Sequence, residues 1–150
     1  MSDERRTRGH IPWSWVDARL RSLREIWVAT AGPVGADAVP VWFWWDGTAA
    51  YFSTKADSRK ARNLARRPAV VLHNGDGADP IILRGEVETV ADPAELERVD
   101  AAYHVKYVDP HSGARATIFV HGDVVFRLRP RQVTAWSYAT VGTRTDWRFG

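Results

Sequence analysis

The chain has 150 residues, 45% of them apolar and 26% charged, the proportions of one globular domain large enough for a core. It contains no Cys, which excludes disulfides, thiol catalysis and thiolate metal centres, and it has no apolar run long enough to span a membrane as a helix. The net charge of +3 admits phosphate-bearing ligands, but the Arg residues form no stripe and no nucleic-acid-binding signature is present.

Residues 1–10 read as a disordered polar leader and 11–150 as a single domain, with the cytoplasm as the expected location. A first helix is predicted over 12–25, with Ser14 as cap, Val16, Leu20 and Leu23 as its apolar stripe, and Arg19, Arg21 and Arg24 facing out. A strand over 26–30 turns at Gly32-Pro33-Val34-Gly35. The next strand carries Val39, Val41, Phe43 and Trp45 on one face and Pro40, Trp42 and Trp44 on the other. Both faces are apolar, so neither suits full exposure to water. Asp46-Gly47 signals a hairpin that Thr48 and Ala49 can lengthen, and the strand after it ends in Ser53 and Thr54.

Asp57 or Ser58 caps a short helix that runs to about residue 67 and is stopped by Pro68. Arg59 and Lys60 fall in its first turn, where the helix dipole disfavours cations unless an anion is there to meet them. That local conflict is the best functional sign in the chain.

Further strands are predicted over 69–73 and 80–90, separated by an Asn74-Gly75-Asp76-Gly77 turn, with Gly85 at a bulge. Asp92-Pro93-Ala94-Glu95 starts a second long helix with a cap, Pro at the first position and Glu at the third. Leu96, Val99, Ala102 and Tyr103 form its buried face. A loop over 108–114 leads to 117–120, a stretch equally compatible with a strand or a last helical turn. Strands over 124–129 and 132–138 flank a Pro130-Arg131 turn. Trp147 and Phe149 make the tail too apolar to float, so it is expected to fold back on the body or across a partner chain.

Six or seven short strands, with helices only at the start, middle and side, predict a mainly β protein: a β-barrel with accessory helices. No glycine fingerprint for a dinucleotide or a P-loop is present. Tyr51-Phe52-Ser53-Thr54, then Ser58-Arg59-Lys60-Ala61-Arg62-Asn63-Leu64, Pro68 and the strand after it resemble the split-barrel flavin-binding family that includes pyridoxamine 5′-phosphate oxidase. The resemblance covers about residues 20–140 and is closer to the branch of small bacterial reductases that bind the deazaflavin F420.

The resemblance implies a six-stranded split β-barrel working as a homodimer, with two cofactor sites at the subunit interface. Carried over by position, Ser53 and Thr54 hydrogen-bond the cofactor, and Arg59 and Lys60 bind its phosphate with help from Ser58 and Asn63. Pro40, Val41 and Trp42 lie beside the tricyclic ring. In the pyridoxamine-oxidising branch an Arg and a Lys at the positions of Ala38 and Phe43 grip the phosphate of FMN. Their absence favours F420, whose long acidic tail Lys55, Arg59, Lys60 and Arg62 can meet.

The implied activity is F420-dependent oxidoreduction, passing hydride between reduced deazaflavin and a small organic substrate walled by Trp42 and Trp136. No protein nucleophile is required and no catalytic residue is assigned. Two alternatives accompany this reading: an FMN-dependent oxidoreductase on the same fold, and a non-catalytic carrier of cofactor or haem. Plain readings stand beside the sharp ones. Arg59, Lys60 and Arg62 suit the solvated face of a helix, and Trp42, Trp44 and Trp45 suit core and dimer interface. The five His residues lack zinc-site spacing, so no metal is assigned, and neither nucleic acid nor membrane is expected as a partner.

Overall fold

The structure, a computed structural model, describes residues 6–8, 11–119 and 123–150. Its elements are β1 (Arg6–Arg8), α1 (Trp13–Ser22), β2 (Ile26–Gly32), β3 (Gly35–Val41), β4 (Trp44–Trp45), β5 (Ala50–Lys55), α2 (Arg59–Arg66), β6 (Ala69–His73), β7 (Ile81–Thr89), α3 (Pro93–Lys106), β8 (Asp123–Leu128), β9 (Gln132–Ser137) and β10 (Thr140–Arg148). The predicted Gly32–Gly35 turn sets the first hairpin. Gly35 adopts φ +135°, a conformation that side chains rarely tolerate, and β2 then pairs β3 from Gly32↔Gly35 back to Ile26↔Val41.

From β2 the pairing runs to β6, β7, β8, β5 and β4, every pair antiparallel. Since β3 and β4 are one stave interrupted only at Trp42 and Phe43, this path returns to its start. The result is a closed ring of six staves, the expected split β-barrel. The split lies along β3, whose second edge has no strand against it among the described residues. The rest of β7 carries β9, then β10 and β1.

Side chains of α3 and of its C-cap residue Tyr107 hold the interruption where ladder bonds are missing. Phe43 N donates to Tyr107 Oη at 3.0 Å, Lys106 Nζ donates to Phe43 O at 2.9 Å, and Tyr103 Oη donates to Trp42 O at 2.9 Å. Gly85 is not at the expected bulge, since its register with β6 is unbroken; it lies where β7 passes from β9 to β8, against the Arg129–Pro130 connection. A Cβ there would stand 2.9 Å from Leu128 Cδ1 and 3.1 Å from Arg129 O, so only glycine fits without a shift.

Two apolar cores result. Phe43, Trp45, Phe52, Leu72, Leu83 and Trp147 fill the barrel, and Tyr51, Val99, Tyr103, Tyr107 and Ile118 pack α3 on its outer wall. Each such burial stabilises by roughly 1.5–3 kcal/mol. The start of α3 is tied down as the sequence predicts: Asp92 Oδ2 accepts from Glu95 N at 3.1 Å. Glu95 then takes Arg127 at 2.7 Å and the Tyr51 hydroxyl at 2.7 Å.

Several expectations need correction. Helix α1 is capped by Pro12 rather than Ser14, and it ends at Ser22 because Leu23 is extended. The leader is not wholly without structure, since Arg6–Arg8 pair with β10; its remaining residues lie outside the described ones. Residues 117–119 are neither strand nor helix, being held by Asp100, whose Oδ1 accepts from Ile118 N at 2.9 Å. The tail folds back on the body as β10, with Trp147 fully buried and Trp13 edge-on to it at 5.4 Å.

Candidate functional site

At the start of α2, Ser58 is the cap: its Oγ accepts from Ala61 N at 3.0 Å and shares a hydrogen bond of 2.9 Å with the Thr54 hydroxyl. Arg62 N turns back to Ser58 O. The two amides between, those of Arg59 and Lys60, are the ones an α-helix leaves unpaired at this end. No acidic residue occupies the first turn. Arg59 is exposed, whereas Lys60 is half-buried and forms no ion pair among the described residues. Burial pushes the Lys60 ammonium below its ordinary pKa, and the carboxylates of Asp37 and Asp123 oppose that shift.

Asp123 is the member of this group that sequence reasoning missed. It lies 63 residues from Lys60 and arrives only through the β5–β8 ladder, in which it pairs with Lys55. One of its oxygens accepts from Ser53 Oγ at 3.4 Å, and the other is buried with no hydrogen-bond partner among the described residues. The notch therefore offers unpaired donors (two amides and an ammonium) and one unpaired acceptor. A phosphorylated cofactor that also carries hydroxyl groups fits both kinds.

The remaining predicted residues divide by what they touch. Thr54 is buried and already engaged in the Ser58 cap. Asn63 is buried beneath α2, where its Nδ2 donates to Thr30 Oγ1 at 3.4 Å and its amide leaves no room for a Cβ on Gly32 without adjustment. It positions the helix against β2. Pro40 and Trp42 are exposed along the open edge of β3, whereas the Val41 side chain packs against the core and offers that edge only its backbone. From Asp37, which faces Lys60, the strand runs about 10 Å to Pro40 and about 16 Å to Trp42. The structure thus gathers Ser53, Ser58, Arg59 and Lys60 at one end of a strand edge that leads to Pro40 and Trp42.

Beyond the notch, Arg59, Arg62 and Arg66 line a cleft of about 470 Å³ between α2 and the β2–β3 turn. Arg62 Nη1 donates to Asp57 O, holding that side chain in place. Trp136 stands apart: its strand β9 lies four strands from β3, about 19 Å across the sheet, so Trp42 and Trp136 do not wall one pocket within a chain. Trp45 is core and donates to Asp17 Oδ1 at 2.9 Å; Trp44 stacks on Tyr51. His73 lies parallel to Trp27, and no cluster of three metal-ligating side chains exists among the described residues. None of the described helices is long and apolar enough to cross a membrane.

A ring of six staves split beside a capped, anion-deficient helix defines the class as a split β-barrel. The chain belongs to the pyridoxamine 5′-phosphate oxidase family, whose sequence model matches residues 15–137. Among solved structures it is similar to a conserved hypothetical protein from Mycobacterium tuberculosis, at 24% identity and a TM-score of 0.70, covering 86% of each chain. An F420 reductase matches at 24% identity and a TM-score of 0.59, covering 78% of this chain and 94% of that one. A pyridoxamine 5′-phosphate oxidase-related, FMN-binding protein from Nostoc punctiforme matches at 20% identity and a TM-score of 0.61, covering 93% and 91%. At these identities the likeness is one of fold. A search among curated proteins found no match.

Proposed function

We propose that the protein is an F420-dependent oxidoreductase acting on a small organic molecule. The observation that carries this reading is the α2 notch, with its two unpaired amides and a half-buried Lys60 that has no ion-pair partner among the described residues. When bound, F420 supplies a hydride for an electron-poor double bond, so the chain itself has to bind and orient rather than react. Lys60 and the first-turn amides hold the phosphate, Ser53 and Asp123 hold neighbouring hydroxyls, and the β3 edge from Pro40 to Trp42 lies along the ring. The cleft lined by Arg59, Arg62 and Arg66 favours F420 over FMN, because only F420 continues past its phosphate as an acidic tail. Phe43 adds to this: its side chain is fully buried in the barrel, and Ala38 carries no charge.

A homodimer belongs to the same reading. An apolar depression of about 650 Å³ on the outside of β2, β6 and β7, around Trp27, Val71 and Ile82, supports a second copy there. Sedimentation equilibrium checks it, a monomer at micromolar concentration being the contrary result.

Titration of the protein with F420, FMN and haem tests the cofactor assignment. The expected order puts F420 at least tenfold tighter than FMN, and equal or reversed affinities defeat it. Lys60→Ala should weaken F420 binding by about ten- to a hundredfold, the worth of a charge-assisted bond, while the melting temperature barely moves. Oxidation of reduced F420 by an activated enone separates enzyme from carrier.

A further inference from the structure

A tyrosine, an arginine pair and a tryptophan meet on the far side of the β3–β4 interruption, away from the α2 notch. Trp42 is 53% exposed yet stacks flat on Tyr107, with centroids 4.5 Å apart and planes 5° from parallel. Tyr107 is held rigidly: its hydroxyl accepts from Phe43 N and lies 2.7 Å from Arg24 O. The Arg24 guanidinium lies over the Tyr107 ring at 4.7 Å. These side chains and the 108–116 loop enclose a cleft of about 390 Å³, whose remaining wall is largely Val108, Pro110 and Ala116.

Two guanidiniums reach this cleft, those of Arg24 and Arg115. Each is tethered by one hydrogen bond to a carbonyl at the C-terminal end of α3: Arg24 Nη1 to Lys106 O at 2.8 Å and Arg115 Nη1 to His104 O at 2.7 Å. Helix capping explains the tethers but not the rest of each fork, and neither Arg forms an ion pair among the described residues. Asp109 also lines the cleft, and its Oδ1 accepts from His111 N at 2.7 Å and Ser112 N at 3.0 Å, which ties this carboxylate to its own loop. The positive field registers on Lys106, where burial first and the Arg24 charge second bring the ammonium down to about 8. The loop is preorganised by the Val108↔Arg115 bridge and by Ala116 N donating to Tyr107 O at 2.9 Å.

We propose that this cleft is a binding site for a planar organic carboxylate, its conjugated body against Trp42 and its carboxylate held by Arg24 and Arg115. An aromatic wall calls for a flat apolar body, and two partly free guanidinium forks call for a compact anion. The site shares Trp42 with the proposed ring edge but none of its charged residues with the α2 notch.

The probe is cinnamate, titrated into the full-length protein with Trp fluorescence as the signal. Saturable quenching is expected, with a Kd on the order of 1 mM for so small a ligand. Cinnamamide, equal in shape and uncharged, should bind about tenfold or more weakly, as should cinnamate to Arg24→Gln and to Arg115→Gln. Glutamine keeps an N–H for the α3 carbonyl, and Arg115 lies on an exposed loop, so at least that variant retains the fold. Lys60→Ala should leave cinnamate binding unchanged, which separates this site from the cofactor assignment. Absence of saturable quenching, equal affinity for acid and amide, or full affinity in both arginine variants overturns the proposal. So does equal binding of inorganic phosphate in competition, which would reduce the cleft to a site for charge alone.

Discussion

Helices α3 and α2 begin with the same backbone device and opposite electrostatics. In α3, Asp92 accepts from Glu95 N, and Glu95 places a carboxylate in the first turn, where Arg127 and Tyr51 both reach it. In α2, Ser58 caps Ala61 N just as well, but Arg59 and Lys60 follow where the dipole favours an acid. One helix end is complete within the chain. The other has no acid in its first turn, and on the proposed reading a bound anion completes it.

The sharpest way to break this comparison is to undo the complete end. The hydrogen bond from Arg127 holds the Glu95 carboxyl below its ordinary 4.5, and both side chains are largely buried, at 17% and 14% exposure. Glu95→Gln leaves the buried Arg127 guanidinium with only the exposed Glu88 as its anion, 2.6 Å away, and should cost about 2 kcal/mol in a denaturant melt. Cofactor affinity should stay as it was. The pH dependence has a definite sign. A depressed carboxylate stabilises the fold above its unfolded pKa, and that contribution disappears as pH falls below about 4.5 through the lower folded value. The parent should lose stability over that window and the Gln variant should lose less; parallel acid limbs would contradict the assignment.

A middle-sized effect is expected at the incomplete end. Ser58→Ala removes the cap and the partner of Thr54, for about 1 kcal/mol of stability, and it should also weaken F420 because the amides lose their fixed direction. If stability falls and affinity does not, the notch is not where the phosphate sits. The smallest effect sharpens the contrast instead. Asp37 faces Lys60, so Asp37→Asn should tighten F420 binding by about two- to fivefold at low salt, with the gain fading as salt is added. Weaker binding would show that the carboxylate holds ligand rather than opposing it.

Much of the barrel is legible in the chain because its signals are local. The β2–β3 turn, the Ser58 and Asp92 caps, the alternation from Val39 to Trp45 and the stop at Pro68 each act within a few residues, and the structure has all of them. Illegible features depend on distant pairing. Periodicity runs unbroken from Val39 to Trp45, so nothing in it shows that one stave pairs β2 before Trp42 and β5 after Phe43. Asp123 joins Lys60 only through the β5–β8 register, and Thr54 is engaged by Ser58 only because the strand end folds onto the helix cap. The same limit separates Trp42 from Trp136, two tryptophans that look alike as letters and lie on opposite sides of the sheet order.

The interruption at Phe43 has one consequence of its own. Its amide is protected by a phenol on α3 rather than by a neighbouring strand, so deuterium uptake at that single position measures undocking of the helix while uptake along β5 measures unzipping of the barrel. A ligand that quiets the first without changing the second has tightened the clasp and left the staves alone.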